Sequence, residues 1–319
     1  MNPPVSSRGC SERARVGSGS DDAGPGEVDH AGDVRSLGDV EWMVLGASVR
    51  GAQHRRDGRP NQDAIGWWPP DGVSHAVAVA VADGHGHPRG VRAERGAAFA
   101  VEAALAVATA PDGVSCGPGG AAILLSEVPY LLSRSWSERV RADLEADPPS
   151  EDELELVVAA GGDHARDVLR RNPQVIYGTT VVLAVATPAG FSFAQLGDGD
   201  VLIVAPDGQV QRPLGRDDEL IANRTWSLAM ADAPQRFRTA VVPAHMPVEM
   251  IIVATDGYSN SYRDAAGFDQ VGADMLSTVR LHGPAELASN LPGWLEATSG
   301  EGSGDDISVG VIMRLGQEP

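Results

Sequence analysis

The sequence predicts an α+β domain with mostly antiparallel sheets, and two observations carry that prediction. Its strands follow one another through short Gly, Pro or Asp turns, and its helices come in blocks. A doubly wound parallel fold would need a helix between nearly every pair of strands. From Trp42, WMVLGASVRG reads as a strand, AQHRRDGRPNQD as a polar loop and AIGWWPP as a short strand closed by prolines. The next stretch, AVAVAVADGHGHPRG at 76–90, runs seven small apolar residues straight into Asp83, Gly84 and His85. A continuous apolar run of that kind marks a central strand covered on both faces.

GVRAERGAAFAVEAALAVATA then has apolar residues at helical spacing, and two more helices are predicted at about 121–145 and 150–171, separated by ADPPS. Strands resume with GTTVVLAVATP, GFSFAQLGD, GDVLIVAPDG and QVQRPL, and later with FRTAVVPA and VEMIIVATDG. A helical stretch near 283–299 and a final strand, DDISVGVIMRL, close the chain. Residues 1–38 are rich in Gly, Ser, Asp and Arg with little apolar periodicity, too little to offset the entropy of ordering them, so they read as a flexible tail. No repeat and no linker divides residues 39–319, which read as one domain.

Composition narrows the function. The formal charge of −19 over 319 residues repels phosphate backbones and anionic lipid, so neither nucleic acid nor a membrane surface is expected as a partner. No apolar run reaches the roughly 18–20 residues of a membrane span, and the N-terminus lacks the order of a secretory signal. A cytoplasmic protein is expected. Two cysteines, Cys10 and Cys116, make neither a disulfide framework nor a metal-ligand cluster, and the histidines, His54 and His87 among them, lack the paired spacing of a transition-metal motif.

The chemistry-bearing signal is acid at the ends of apolar strands. Asp83-Gly84 and Asp256-Gly257 each end one, Asp198 and Asp200 lie between two, and Asp305 and Asp306 precede the last. Carboxylates that converge repel one another unless cations neutralise them, and hard oxygen donors select Mg²⁺, Mn²⁺ or Ca²⁺. Spacing alone leaves a second arrangement open, in which the acids sit at separate sheet ends and cap their own turns.

In order, GASVRGAQHRRDGRPNQDA, VADGHGHPRG, YGTTVVLAV, LGDGDVLIV, ATDGYSN and GDDISVGVI resemble the motifs of the metal-dependent protein phosphatases of the 2C type, in their bacterial stand-alone branch. The resemblance spans residues from about 43 to 314. It implies a four-layer α/β/β/α sandwich of two antiparallel sheets flanked by pairs of helices, with two Mn²⁺ or Mg²⁺ ions at one end. It implies hydrolysis of phosphoserine and phosphothreonine in proteins, the substrates of a Ser/Thr kinase, by attack of a metal-bridging water, with the chain acting as a monomer. By motif position Asp83 would bridge the metals, Gly84 would lend its carbonyl, Asp256 and Asp305 would hold the second ion, and Asp63 would hold metal-associated water. His85 matches the proposed general acid, a role suited to an imidazole's near-neutral reference pKa.

The chain departs from the family pattern in three places. Gln62 stands where relatives often carry a glutamate, which lowers the expected charge at that site. The phosphate-gripping arginine is one of Arg55, Arg56 and Arg59, of which Arg59 is chosen because an arginine fork suits phosphate oxygens. Before GTT stand Asn172 and Gln174 and no acid, so no third ion is expected. Asp198 is assigned a structural role at its own turn or a place behind the direct ligands, and Trp67-Trp68 are assigned to hairpin packing. Residues 214–240 match a variable flap in which Trp226 and Arg238 shape substrate access. The alternative function is a regulatory, phosphoprotein-binding module on the same fold with its chemistry weakened or lost, motivated by Gln62 and the absent acid.

Overall fold

A computed structural model describes residues 41–85, 90–110, 117–215 and 225–315. The tail expected at 1–38, Cys10, Cys116, His87 and the central part of the expected flap lie outside those residues. The described residues fall in one compact unit, 36–319.

β4 (Val77–Asp83) explains the layering. Val77, Val79 and Val81 enter the core between two sheets beside Val182, Phe193, Ile251 and Ile312. Ala78, Ala80 and Ala82 face α2 (Ala93–Ala108), whose Ala97, Ala100 and Ala104 share that second core. Both faces of the strand are apolar because both are covered. β10 (Met250–Ala254) repeats the device: Ile251 and Val253 point between the sheets, while Met250, Ile252 and Ala254 face the helices on the other side.

One antiparallel sheet has the order β3 (Val73–Ser74), β1 (Trp42–Val49), β11 (Ile307–Arg314), β10, β7 (Asp200–Val204), β8 (Val210–Gln211). The other has the order β2 (Asp63–Trp68), β4, β5 (Val181–Thr187), β6 (Gly190–Leu196), β9 (Arg238–Pro243). The sheets approach closely where Gly46 faces Gly310 in the β1–β11 ladder. A Cβ on Gly46 would lie 2.5 Å from Ile65 Cδ1, and one on Gly310 would lie 2.4 Å from Val79 Cγ2. Helices α2, α3 (Gly117–Ala146) and α4 (Glu151–Arg171) cover the five-stranded sheet; α7 (Ala265–His282) and α8 (Pro284–Glu301) cover the six-stranded one. The architecture is the four-layer α/β/β/α sandwich.

α4 begins where a sequence cap puts it. Ser150 Oγ accepts from Glu153 N at 3.2 Å and Glu153 Oε2 accepts from Ser150 N at 2.7 Å, a reciprocal capping box after two prolines. The same Glu153 holds the buried Arg92 at the foot of α2, Nε to Oε1 2.7 Å and Nη2 to Oε2 2.9 Å, which ties α4 to α2.

Four helices differ from the sequence reading. The polar loop after β1 contains a six-residue helix, α1 (Ala52–Asp57), held by contacts to the other end of the chain. α7 precedes the predicted C-terminal helix, burying Phe268, Val271, Met275 and Leu276. Short helices α5 (Ala233–Arg236) and α6 (Asp256–Ser259) open directly before β9 and after β10. Of the tryptophan pair, Trp67 packs on the core between the sheets, while Trp68 is 40% exposed. Among the described residues no helix is long and apolar enough to cross a membrane.

Candidate metal centre

Strand register brings the acids to one end of the sandwich. Asp63, the first residue of β2, stands opposite Asp83, the last of β4. Ala254, the last of β10, pairs with Asp200 at the start of β7 and Val309 near the start of β11. Asp256, Asp198, Asp305 and Asp306 are therefore neighbours of these ends.

Three carboxylates meet there: one oxygen from each of Asp83, Asp198 and Asp256 lies within 4.8 Å of the others. Asp198 also accepts from Thr225 Oγ1 at 2.8 Å, and Asp256 Oδ2 from Asn260 Nδ2 at 2.9 Å. Sequence reading places Asp198 at its own turn or just outside the ligand set; the structure brings its carboxylate together with those of Asp83 and Asp256. No local signal separates those outcomes, since an Asp between two glycines suits both.

Asp83 is fixed through its main chain by the GTT motif. Its N–H donates to Thr180 Oγ1 at 3.0 Å, and its carbonyl accepts from Thr180 N at 2.9 Å and Thr179 Oγ1 at 2.8 Å. Gly84 N donates to Gln62 O at 3.1 Å, and a Cβ there would lie 2.6 Å from both Gln62 O and Ala93 O, so only glycine fits. His85 N donates to Gly178 O at 3.0 Å, and its ring lies against Gly178, where a Cβ would approach Cδ2 to 2.9 Å.

Around this cluster stand Asp63 and Asp305. Asp63 is buried, its Oδ2 accepting from Thr255 Oγ1 at 2.7 Å; among the described residues its Oδ1 has no hydrogen-bond partner, and neither has buried Gln62 Oε1. Asp305 is exposed and lies with His54 and Asp306. Asp306 is a buried organiser: Oδ1 accepts from Gly51 N at 2.5 Å, and Oδ2 from Gln62 N at 2.6 Å and His54 Nδ1 at 2.8 Å. Those bonds hold both ends of the segment from Gly51 to Gln62 against the start of β11.

The electrostatics are those of acids short of counter-charge. Burial, then the charges of Asp63, Asp256, Asp305 and Asp198, push the Asp83 carboxyl well above the usual carboxylate range. Burial raises Asp63 against the Thr255 hydrogen bond. Burial and the charges of Asp198 and Asp305 push Asp256 up to about 7, and burial raises Asp198. Several mutually repelling oxygen donors, with two buried oxygens lacking partners, fit a hard divalent cation.

The remaining predicted residues are placed as follows. Arg59 Nη2 meets Asp57 Oδ2 at 3.0 Å, and Arg55 Nη1 lies 3.5 Å from Glu296 Oε1. Asn172 Nδ2 donates to Ala229 O at 2.8 Å, and Gln174 Oε1 accepts from Ser137 Oγ at 3.3 Å. Beside Asp198 opens a cavity of about 470 Å³ bounded by Arg212, Arg238, Asn260, Tyr262 and Asp264. Arg238 Nη1 donates to the carbonyls of Leu214 at 3.1 Å and Gly215 at 2.6 Å. The Arg236 guanidinium stacks 4.1 Å over the Trp226 ring.

The chain matches the family described as Protein phosphatase 2C over residues 50–296. No curated protein matches the sequence. Among solved structures it is similar to PppA, described as a key regulatory component of T6SS in Pseudomonas aeruginosa, at 17% identity over 86% of this chain and 98% of that one, TM-score 0.55. It is also similar to the S. agalactiae serine/threonine phosphatase at 18% identity, 85% and 99% coverage and TM-score 0.52. The Mycobacterium tuberculosis serine/threonine phosphatase PstP/Ppp is similar at 16% identity, 86% and 98% coverage and TM-score 0.50.

Proposed function

Given that the chain belongs to the protein phosphatase 2C family, we propose that it is an active, metal-dependent phosphatase of phosphoserine and phosphothreonine in proteins. The observation that carries this reading is the meeting of Asp83, Asp198 and Asp256 oxygens within 4.8 Å at the strand ends. Asp83, Asp198, Asp256 and Asp305 would hold the cations, with Asp63 beside them and the Gly84 carbonyl as a further donor. Mn²⁺ or Mg²⁺ bound there would supply positive charge against the phosphoryl oxygens and lower the pKa of water, so that hydroxide would be available at neutral pH.

The chain's own residues do the rest. Thr179 and Thr180 hold the Asp83 main chain by three bonds, which fixes the point from which its carboxylate reaches those of Asp198 and Asp256. His85, anchored at its main chain by Gly178, gives a proton to the leaving Ser or Thr oxygen. One arginine of the segment after β1, Arg59 in our assignment, grips the phosphoryl group on exchanging its partner Asp57. The cavity beside Asp198 gives the substrate polypeptide room. The working unit in this reading is residues 39–319, acting as a cytoplasmic monomer on the products of a Ser/Thr kinase.

The test is release of phosphate from a phosphothreonine peptide, titrated with Mn²⁺, stripped with chelator, and repeated with Asp83→Asn. Turnover that needs the cation and is lost in the variant supports the reading. A folded protein that binds Mn²⁺ and the phosphopeptide without turnover would replace it with the regulatory module.

A further inference from the structure

His54 sits at the third residue of α1, is 6% exposed, and belongs to none of the roles above. Its backbone is fixed on both sides: its carbonyl accepts from Arg50 Nη2 and Arg59 N, each at 2.9 Å. Its ring is fixed by Asp306, whose Oδ2 lies 2.8 Å from Nδ1. Asp306 already accepts from two main-chain N–H groups, so it faces the ring as an acceptor and Nδ1 carries the hydrogen. In the neutral ring, the lone pair is then on Nε2. That atom makes no hydrogen bond among the described residues, and Asp305 Oδ1 lies 4.0 Å from it. A carboxylate behind Nδ1 and an open Nε2 in front is the arrangement by which proteins orient metal-binding imidazoles.

We propose that His54 Nε2 binds the cation held by Asp305, so that the centre selects a nitrogen-accepting transition ion such as Mn²⁺ over Mg²⁺. The inference rests on the reading of Asp305 as a cation ligand. The 4.0 Å gap leaves room for one ion between the two atoms at bond lengths of about 2.0–2.2 Å, the range these donors adopt on zinc, with the two bonds set at a wide angle. Mn²⁺ shares with Mg²⁺ a preference for oxygen, but as a transition ion higher in the affinity order for nitrogen donors it also takes an imidazole, whereas Mg²⁺ stays with oxygen and keeps its waters. A second oxygen on the segment that Asp306 holds is also open: among the described residues the buried Gln62 Oε1, one residue from Asp63, lacks a partner. An imidazole beside Asp305 makes the donor set there less negative than carboxylates alone, which disfavours a strongly hydrated hard ion.

The experiment uses the full chain and His54→Asn. The asparagine amide can still donate to Asp306 and carries no atom at the Nε2 position, so the structural bond is kept while the ligand is removed; matching melting temperatures without metal check that. Electron spin echo modulation of the Mn²⁺-saturated protein reads directly bound nitrogen. The expected result is a ¹⁴N coupling in the wild type that is lost in the variant. Calorimetry is expected to give an Mn²⁺ affinity about 10–100-fold weaker in the variant and an Mg²⁺ affinity within about twofold of wild type. A wild-type spectrum without nitrogen coupling, a coupling that survives in the variant, or equal losses for both cations would overturn the proposal. Should turnover persist with no nitrogen coupling, the ligand inference falls and the phosphatase reading stands; if no divalent cation binds, both fall.

Discussion

Asp63 and Asp83 stand directly opposite one another in the β2–β4 ladder, two acids on one cross-strand pair at the rim of an otherwise apolar sheet. Like charges so placed oppose folding, and burial adds to the cost. Without metal, Asp63→Asn is expected to stabilise the protein by about 1 kcal/mol, a rise of about 2–4 °C in Tm. With metal the same change is expected to lower turnover by about 10²-fold or more, the scale of losing one well-placed electrostatic group. Melting curves with and without Mn²⁺, beside phosphate release, check the pair; a variant less stable in both states would make Asp63 an ordinary structural acid.

Asp256 gives the metal-free protein a pH dependence. Its carboxyl is raised from the ordinary 3.8 to about 7, so between those values the folded state holds a proton that the unfolded chain has lost. Stability of the metal-free protein therefore falls as pH rises from about 4 to 7 and levels off above it. Saturating cation competes with those protons and is expected to remove or reverse the slope, with proton release on binding. Thermal unfolding across pH 5–8 with and without Mn²⁺ measures both; a metal-free slope of the opposite sign would show that the cluster stays charged.

The strands are legible in the sequence because the central apolar runs, such as those of β4 and β10, are covered on both faces and end on a polar turn. The sequence also made the acids visible, as residues at strand ends. What it left open was which ends coincide. Asp306 meets His54 across 252 residues and Asp63 meets Thr255 across 192, contacts that no local spacing encodes. α1 was read as loop for a related reason: six mostly polar residues have little helical drive of their own, and Asp306, Ser299 and Gly304 supply it from the far end of the chain. The apolar spacing of α7 was present in Phe268, Val271, Met275 and Leu276 but diluted by glycines and polar residues.

Asp198 and Asp200 flank one glycine yet belong to different structures, which makes them a matched pair for mutation. Asp198 joins the cluster with Asp83 and Asp256, whereas Asp200 pairs with Arg212, which also reaches Asp269 at 2.7 Å. Asp198→Asn is expected to weaken Mn²⁺ binding about 10–100-fold, and Asp200→Asn to leave it within about threefold while costing some stability. Calorimetric affinities for the two variants decide it; equal effects would return Asp198 to the role of a turn cap.

Arg92 lies beyond the cluster and separates folding from chemistry. Its side chain is buried, donates from Nε and Nη2 to Glu153, and from Nη1 to Tyr177 Oη at 2.8 Å and Asp147 O at 2.6 Å. Arg92→Met fills much of the volume but leaves those acceptors without their donor, and breaking this part-buried network costs about 1–3 kcal/mol. The hydrogen bonds from Arg92 are also the main reason that the Glu153 carboxyl is lowered from 4.5 to about 2. That depressed value contributes stability above about pH 4.5, lost as pH falls towards 2, so the wild type is expected to lose stability over this window and the variant to lose less. Turnover per folded molecule at neutral pH is expected to stay within about threefold of wild type, because the network joins α2 to α3 and α4 and touches none of the clustered carboxylates. Denaturant unfolding at pH 7 and pH 3, beside phosphate release below the unfolding midpoint, tests all three parts. A large fall in turnover by a fully folded variant would mean that the helical layer positions Asp83 or His85 through Tyr177 and the adjoining Gly178-Thr179-Thr180 segment.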